Sequence, residues 1–347
     1  MAGRKQHHVP QLLQRGFGDK SGKETQVFVF QKSGHVYQAN TKDYGAQRDF
    51  YAVKDDSFVD DMITDYENDI NYFILQLKAE DPIALADTET ISGLIAHLET
   101  RTLFLRQEMA VLMGAVTSTI SDLFSRPRNV EKILQVYLRE HPNFLEEKLS
   151  ELRIESKNLA LAHDLVSSQM EDLIRGASVD LSAEFSKVWR TVEADLIDTI
   201  KSAHIDSLKK QNASQVRAKF YEDLNYRVHN EIDGSFILPD VMTVFVTSDG
   251  IKPFTSKNDI VESVIFPLSS SQILIGEKAN KVTRPLKQVN RMLASAAFGS
   301  FVAKSDSPEF RSLVCRIGRN AELLSNAELN NTRREFISEL IVGSKNK

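Results

Sequence analysis

The sequence predicts an α+β fold: a composite β-sheet built from N- and C-terminal segments, with a long, mainly helical middle between them. Three observations predict it. β-branched and aromatic runs are confined to the two ends, apolar residues at helical spacing fill the centre, and turn residues mark each change of period. The resulting divisions are a β-rich segment over 1–55, a helical domain over 56–232, and an α+β segment over 233–347 that packs with the first.

The elements follow in order. Gln6-His7-His8-Val9-Pro10 forms a strand-to-helix corner, because Pro10 holds Val9 extended and can itself open a helix. Leu12, Leu13 and Phe17 give the apolar face behind it. Gln26–Phe30 and His35–Ala39 read as a hairpin around Lys32-Ser33-Gly34, and Arg48–Val53 as a third short strand. Helical spacing then begins at Val59, Met62, Ile63 and Tyr66 and runs to Leu77. A second helix spans about Thr90 to Phe124 with a break near Gly114, Pro127 ends it, and Val130–Glu140 follows. Leu145, Leu152, Leu159, Val166 and Leu173 recur every seven residues, a single apolar seam along one helix. Gly176 ends that helix and Asp180 opens another, which gives an antiparallel helical hairpin.

After Phe236 the strands return. Val241–Val246 is nearly all apolar and therefore central, and Ser263–Phe266 and Gln272–Gly276 accompany it. Helices near Leu286–Phe301, Pro308–Leu324 and Glu328–Val342 close the chain.

The chain has 347 residues, 41% of them hydrophobic and 26% charged, with a formal net charge of −5. That composition is ordinary for a soluble globular protein, and the acidic balance argues against a generally basic nucleic-acid binder. The single cysteine, Cys315, rules out an intrachain disulfide and reads as a small core residue in a cytoplasmic protein. No secretory signal and no run of about 20 apolar residues is present, so a cytoplasmic location without membrane association is expected. The most apolar run, Met109–Met113, reads as buried helix.

Three segments carry a family resemblance. They are His7-His8-Val9-Pro10, the helical Arg101-Thr102-Leu103-Phe104-Leu105-Arg106, and Phe245-Val246-Thr247-Ser248-Asp249 followed by Ile265-Phe266-Pro267-Leu268-Ser269. Their order and spacing resemble the bacterial family known as domain of unknown function 4238, with its His-x-Val-Pro start, Arg-Thr-Pro helix and Phe-x-Thr-Ser-Asp strand end. Leu103 replaces the family's proline, and Gly250-Ile251-Lys252-Pro253 its Asn-Pro. The resemblance implies a bacterial cytosolic protein, often associated with phage or mobile elements. It implies no substrate.

Candidate chemistry lies in the same segments. The histidine-valine-proline element of this corner is similar to half of the His-Asn-His type of metal nuclease, where a histidine activates water. Adjacent strand residues face opposite ways, so one of His7 and His8 acts while the other packs. Asp249 is placed to bind a metal or orient His8, and Ser248 and Thr247 to hold a phosphate at a strand end. Arg101 and Arg106, on an apolar helix, need anionic partners; Asp49 and Asp249 are candidates for Arg101. Five positions put the two arginines about 140° apart on one helix, too far round for a single clamp. His97 shares the face of Arg101. His141, His163, His204 and His229 fall on polar or loop positions and read as surface residues.

Two functions follow from different classes. The first is an interaction or sensor component of a phage-defence or mobile-element cassette, with the helical hairpin meeting a protein partner or a second copy. The alternative is a metal-dependent nuclease or phosphodiesterase with His8, Asp249 and Arg101 as catalytic candidates and His7, Arg106, Ser248, Thr247 and His97 in binding. A divalent metal on His8 and Asp249, with nucleic acid as partner, belongs to that alternative alone. The acidic charge and the incomplete nuclease motif favour the first.

Overall fold

The computed structural model describes residues 5–22, 24–52, 58–152, 156–209, 211–231, 236–278, 284–322, 328–331 and 333–335. The N-terminal elements are β1 Lys5–His7, α1 Gln11–Gln14, β2 Asp19–Ser21, β3 Glu24–Gln31, β4 Val36–Asn40 and β5 Ala46–Arg48. The helical middle comprises α2 Phe58–Lys78, α3 Pro82–Ala86, α4 Thr88–Thr100, α5 Leu103–Phe124, α6 Pro127–Glu140, α7 Phe144–Glu151, α8 Ser156–Ser168, α9 Met170–Lys209 and α10 Gln211–Ala218. The remainder is β6 Asn225–Asn230, β7 Leu238–Pro239, β8 Val244–Thr247, β9 Gly250–Lys252, β10 Val261–Ser269, β11 Gln272–Glu277, α11 Leu286–Ala296, β12 Ser300–Ala303 and α12 Pro308–Leu313. Most of the expected last helix, Glu328–Val342, lies outside the described residues.

The fold is α+β, and its composite sheet is real. Strands run in the order β2-β3-β12-β7, with β4 on β3, so N-terminal strands pair directly with C-terminal ones. Phe301 of β12 lies opposite Phe30 of β3, and their rings stack with centroids 4.9 Å apart. Asp240 fixes the entry to β12: its carboxylate accepts the backbone N–H groups of Phe298, Gly299 and Ser300 at 2.7–2.9 Å. A second five-stranded sheet, β6-β11-β10-β8-β9, is antiparallel throughout. β8 lies inside it, where its apolar sequence is buried. β1 and β5 form a separate two-stranded ribbon.

The chain forms two compact units, Met1–Met109 with Lys201–Leu323, and Ala110–Ile200 with Leu324–Lys347. Among the described residues, the first holds the sheets, a large core from Val9, Leu13 and Phe17 through Ile91, Leu94 and Ile95 to Phe245, Phe266 and Leu293, and a smaller cluster of Phe50, Tyr51, Val59, Ile63 and Ile205. The second is helical. Its buried side chains are few, among them Leu123, Val130, Leu149 and Ile174, with Phe185 between Phe124 and Trp189, each ring pair 5.0 Å apart.

Several local readings differ from the structure. The helix expected from Thr90 to Phe124 breaks at Arg101-Thr102 and not at Gly114, because Thr102 Oγ1 accepts the N–H of Leu105 and starts a new helix. Leu103 then occupies the first helical position, where a proline would also fit. The heptad seam is divided among α7, α8 and α9, and Gly176 lies inside α9. Phe50 and Tyr51 lie beyond β5 and not in a strand. Ser300 and Phe301, read as the end of a helix, belong to β12. Cys315 is exposed, on a single 3-10 turn after α12 in which only the flanking Leu313 and Ile317 are buried. Val111 and Met113 are exposed as well.

Candidate functional site

The histidine corner is pinned by a loop. His8 and Val9 both donate backbone N–H bonds to Gly45 O, at 2.8 and 3.1 Å. Gly45 has φ +64°, and a Cβ there would lie 2.6 Å from Val9 Cβ, so only glycine fits. Gln14, fully buried, donates from Nε2 to Val9 O and Tyr44 O. Together these bonds hold His7 and His8 in one orientation.

Arg101 ties this corner to the helices. It is 1% exposed and donates to Glu67 Oε1 at 2.6 Å, to His7 O, and to Tyr51 Oη at 3.3 Å, with His97 Nε2 also 3.3 Å from Nη1. Its partner is thus Glu67 of α2, not Asp49 or Asp249. A narrow recess lined by Pro10, Leu12, Tyr66, Glu67, His97 and Arg101 has space for about one water molecule.

Arg106 sits on the other side of the Phe50-Tyr51 pair. Its guanidinium lies 3.5 Å from the Phe50 ring centroid. Its Nε and Nη2 meet His204 Nδ1 at 3.0 and 2.9 Å, while His204 Nε2 donates to Thr100 O at 2.8 Å. His204 is therefore no surface residue: it is fully buried on the inward stripe of α9 with Ile200 and Ile205. The helix break at Arg101-Thr102 removes the expected 140° separation, so both arginines flank one aromatic pair.

Burial holds these imidazoles neutral. His8 is lowered to about 3, chiefly by desolvation and then by Arg101, His7 and Arg106. His204 is lowered to about 4 by desolvation and by Arg106, and His97 and His7 are lowered mainly by burial. A general base works best with a pKa near the working pH, and imidazoles at 3–4 are weak bases. Among the described residues, no group of three His, Cys, Asp or Glu is placed to hold a metal ion.

The third motif is a turn. Thr247 pairs with Gly250 across β8 and β9, and Ser248 and Asp249 make the two-residue loop between them. Thr247 Oγ1 accepts from Asp249 N and donates to Gly250 O. The Asp249 side chain is 69% exposed and lies 3.9 Å from Lys252 Nζ. Among the described residues, no hydrogen bond, ion pair or ring contact joins Asp249, Ser248 or Thr247 to the histidine corner.

The three motifs thus have definite places: a corner, a helix break and a hairpin turn. A family model described as a protein of unknown function, DUF4238, matches residues 5–308. The chain belongs to this family. No curated protein and no solved structure matches it.

In this DUF4238 protein, reading the sequence missed a second buried polar cluster. Glu99, fully buried, receives Arg217 at both oxygens and the hydroxyl of Tyr221, and Arg217 also reaches Thr255. Burial raises the Glu99 carboxyl, with Arg217 opposing it. The one local signal was an acid directly after the largely apolar run Leu94-Ile95-Ala96-His97-Leu98. Tyr51 and Glu67 had no such signal, because their roles depend on helices packed from elsewhere in the chain. Among the described residues, no helix is long and apolar enough to cross a membrane.

Proposed function

We propose that the chain is the interaction component of a phage-defence or mobile-element cassette, binding a partner protein through the helical unit. The cassette assignment rests on what the family resemblance implies. The interaction reading rests on one observation: large apolar side chains stand outside the thin core of that unit. Leu161 and Leu165 of α8, one turn apart, are 71% and 57% exposed, and Leu181, Val188 and Val192 share one face of α9 and are 42–63% exposed. Exposed apolar side chains aligned along a helix face mark binding surfaces.

Charge selects the partner's chemistry. Residues 110–200 contain fifteen acidic and ten basic side chains, and Asp180, Glu184, Asp195 and Asp198 flank Leu181, Val188 and Val192 on one side of α9. A basic amphipathic helix complements that face. The nuclease reading draws no support from the geometry, since Arg101 is bound to Glu67, Tyr51, His97 and His7 O, and Asp249 bonds within its own turn.

The test is fluorescence anisotropy with the full chain and two labelled synthetic amphipathic peptides, one of Leu and Lys, one of Leu and Glu. The basic peptide is expected to bind, and the double variant Val188→Glu with Val192→Glu to weaken it about tenfold or more. Equal binding of both peptides, or unchanged binding by the variant, overturns the reading. So does light scattering that shows a stable dimer through this face.

A further inference from the structure

A strand at the edge of a sheet presents backbone donors and acceptors that another strand can take, and natural sheets guard such edges with charges, proline or a bulge. Among the described residues, the edge strands here are guarded in that way, with β4 as the exception. β2 carries Lys20, β6 Arg227 and β9 Lys252, β7 ends on Pro239, and the β1–β5 ribbon has Lys5 and Arg48. β4, Val36-Tyr37-Gln38-Ala39-Asn40, pairs with β3 alone and has neither a charge nor a proline. Its register runs without a bulge from Phe30 opposite Val36 to Gln26 opposite Asn40. Gln31 N donates to His35 O at 3.0 Å and Thr41 N to Thr25 O at 3.1 Å, one bond at each end of the hairpin. Alternation between these bonds turns the backbone groups of Tyr37 and Ala39 toward β3 and those of Val36 and Gln38 outward. Among the described residues, no strand and no hydrogen bond takes these outward N–H and C=O groups, and the side chains of Tyr37 and Gln38 are exposed.

We propose that β4 is a self-association edge: a second copy of this chain adds its own β4 antiparallel about a twofold axis at Gln38, so that one sheet runs through both copies. Gln38 then donates to and accepts from its counterpart, and each Val36 O takes the Asn40 N–H of the other copy. The side chains suit the same register. Tyr37 comes opposite the small Ala39 in the closer, non-hydrogen-bonded kind of pair, Gln38 meets an identical amide, and no like charges face each other. A twofold repeats every residue against the same strand, so a charge in β4 would often meet its own kind. A foreign strand would be chosen by charge, and β4 offers none, which favours the copy. An interface built around one short strand falls below the roughly 1,000 Å² of a stable complex, so dimerisation on the order of tens of micromolar is expected. The proposal is independent of the interaction reading, which uses the other unit of the chain.

The experiment is sedimentation equilibrium of the full chain at neutral pH, at concentrations from about 1 to about 300 µM, which brackets the expected affinity. A reversible monomer–dimer equilibrium is expected. Gln38→Lys sets two ammonium groups across the axis and should weaken the dimer about tenfold or more, and Gln38→Glu should do the same with carboxylates. Gln38 is exposed and its backbone faces away from β3, so both variants keep the hairpin. An equal mixture of the two should recover a dimer, because opposite charges then meet; only direct contact across the axis predicts that. Val188→Glu with Val192→Glu should leave the dimer unchanged. A monomer at every concentration leaves the edge to a foreign strand and overturns the proposal. So does a dimer unchanged by Gln38→Lys, or a mixture that stays monomeric. A dimer lost in the Val188 and Val192 variant but kept in Gln38→Lys overturns it together with the interaction reading, whereas failure of the basic peptide to bind counts against that reading alone.

Discussion

Gly45 and Arg101 show how single residues hold the histidine corner. Alanine at 45 would meet Val9 and sit at positive φ, so Gly45→Ala is expected to lose about 2 kcal/mol in urea unfolding. Arg101→Ala should lose about 3 kcal/mol or more, since it leaves Glu67 without its cation and takes the guanidinium donors from His7 O and Tyr51 Oη. Arg101→Lys should recover only part, because an ammonium cannot reproduce the spread of a guanidinium. A stability within experimental error of native for Arg101→Ala would refute this role. That Arg101 is special was legible from a cation in an apolar helix. Its partner was not, because Glu67 belongs to a different helix and no local spacing relates the two.

Helix boundaries belong to the next scale. Leu103 is the first residue of α5, so Leu103→Pro removes no helical hydrogen bond and should change stability by no more than about 1 kcal/mol, mostly from lost packing near Phe50. Gln107→Pro, one turn further in and exposed, should cost about 3 kcal/mol. Thermal unfolding of the two variants decides it, and equal losses would mean the break lies elsewhere. The break was misplaced at Gly114 because glycine is a weak helix breaker, whereas Thr102 as a cap is strong only once the chain turns there. The heptad seam misled for a related reason. A seven-residue repeat records which faces are apolar, but it does not record where the helix ends. In the structure its members Leu152, just past the end of α7, Leu159 of α8 and Leu173 of α9 are all exposed.

Over the whole molecule, neutral buried histidines set the response to acid. His8 and His204 titrate near 3 and 4 when folded and near 6.5 when unfolded. The unfolded chain therefore takes up protons first as pH falls below 6.5, and each histidine lowers stability by about 2 kcal/mol by pH 5. Asp240 acts in the opposite sense. Burial raises its carboxyl to about 6, so the folded state gains the proton first and recovers about 1 kcal/mol over the same interval. From these three groups the expectation is a loss of about 3 kcal/mol between pH 7.5 and pH 5 in urea titrations, and the lowered His97 and His7 add to it. His204→Gln should remove about 2 kcal/mol of that loss. A native protein equally stable at both pH values would contradict the burial of these rings.

Composition and periodicity alone determined the α+β class, with β-rich ends around a helical middle, because alternation and helical spacing are recorded along a linear chain. The family motifs stand in the sequence as short residue runs, whereas the pairing of the two chain ends in one sheet was an expectation that packing decided. Tertiary structure decided what the motifs do. It gave Arg101 a carboxylate, left Arg106 without one, enclosed His8 and His204, and turned Asp249 outward into a hairpin. Charge balance and desolvation depend on which atoms meet in space, and residues as far apart as 99 and 217 meet only after the chain has packed.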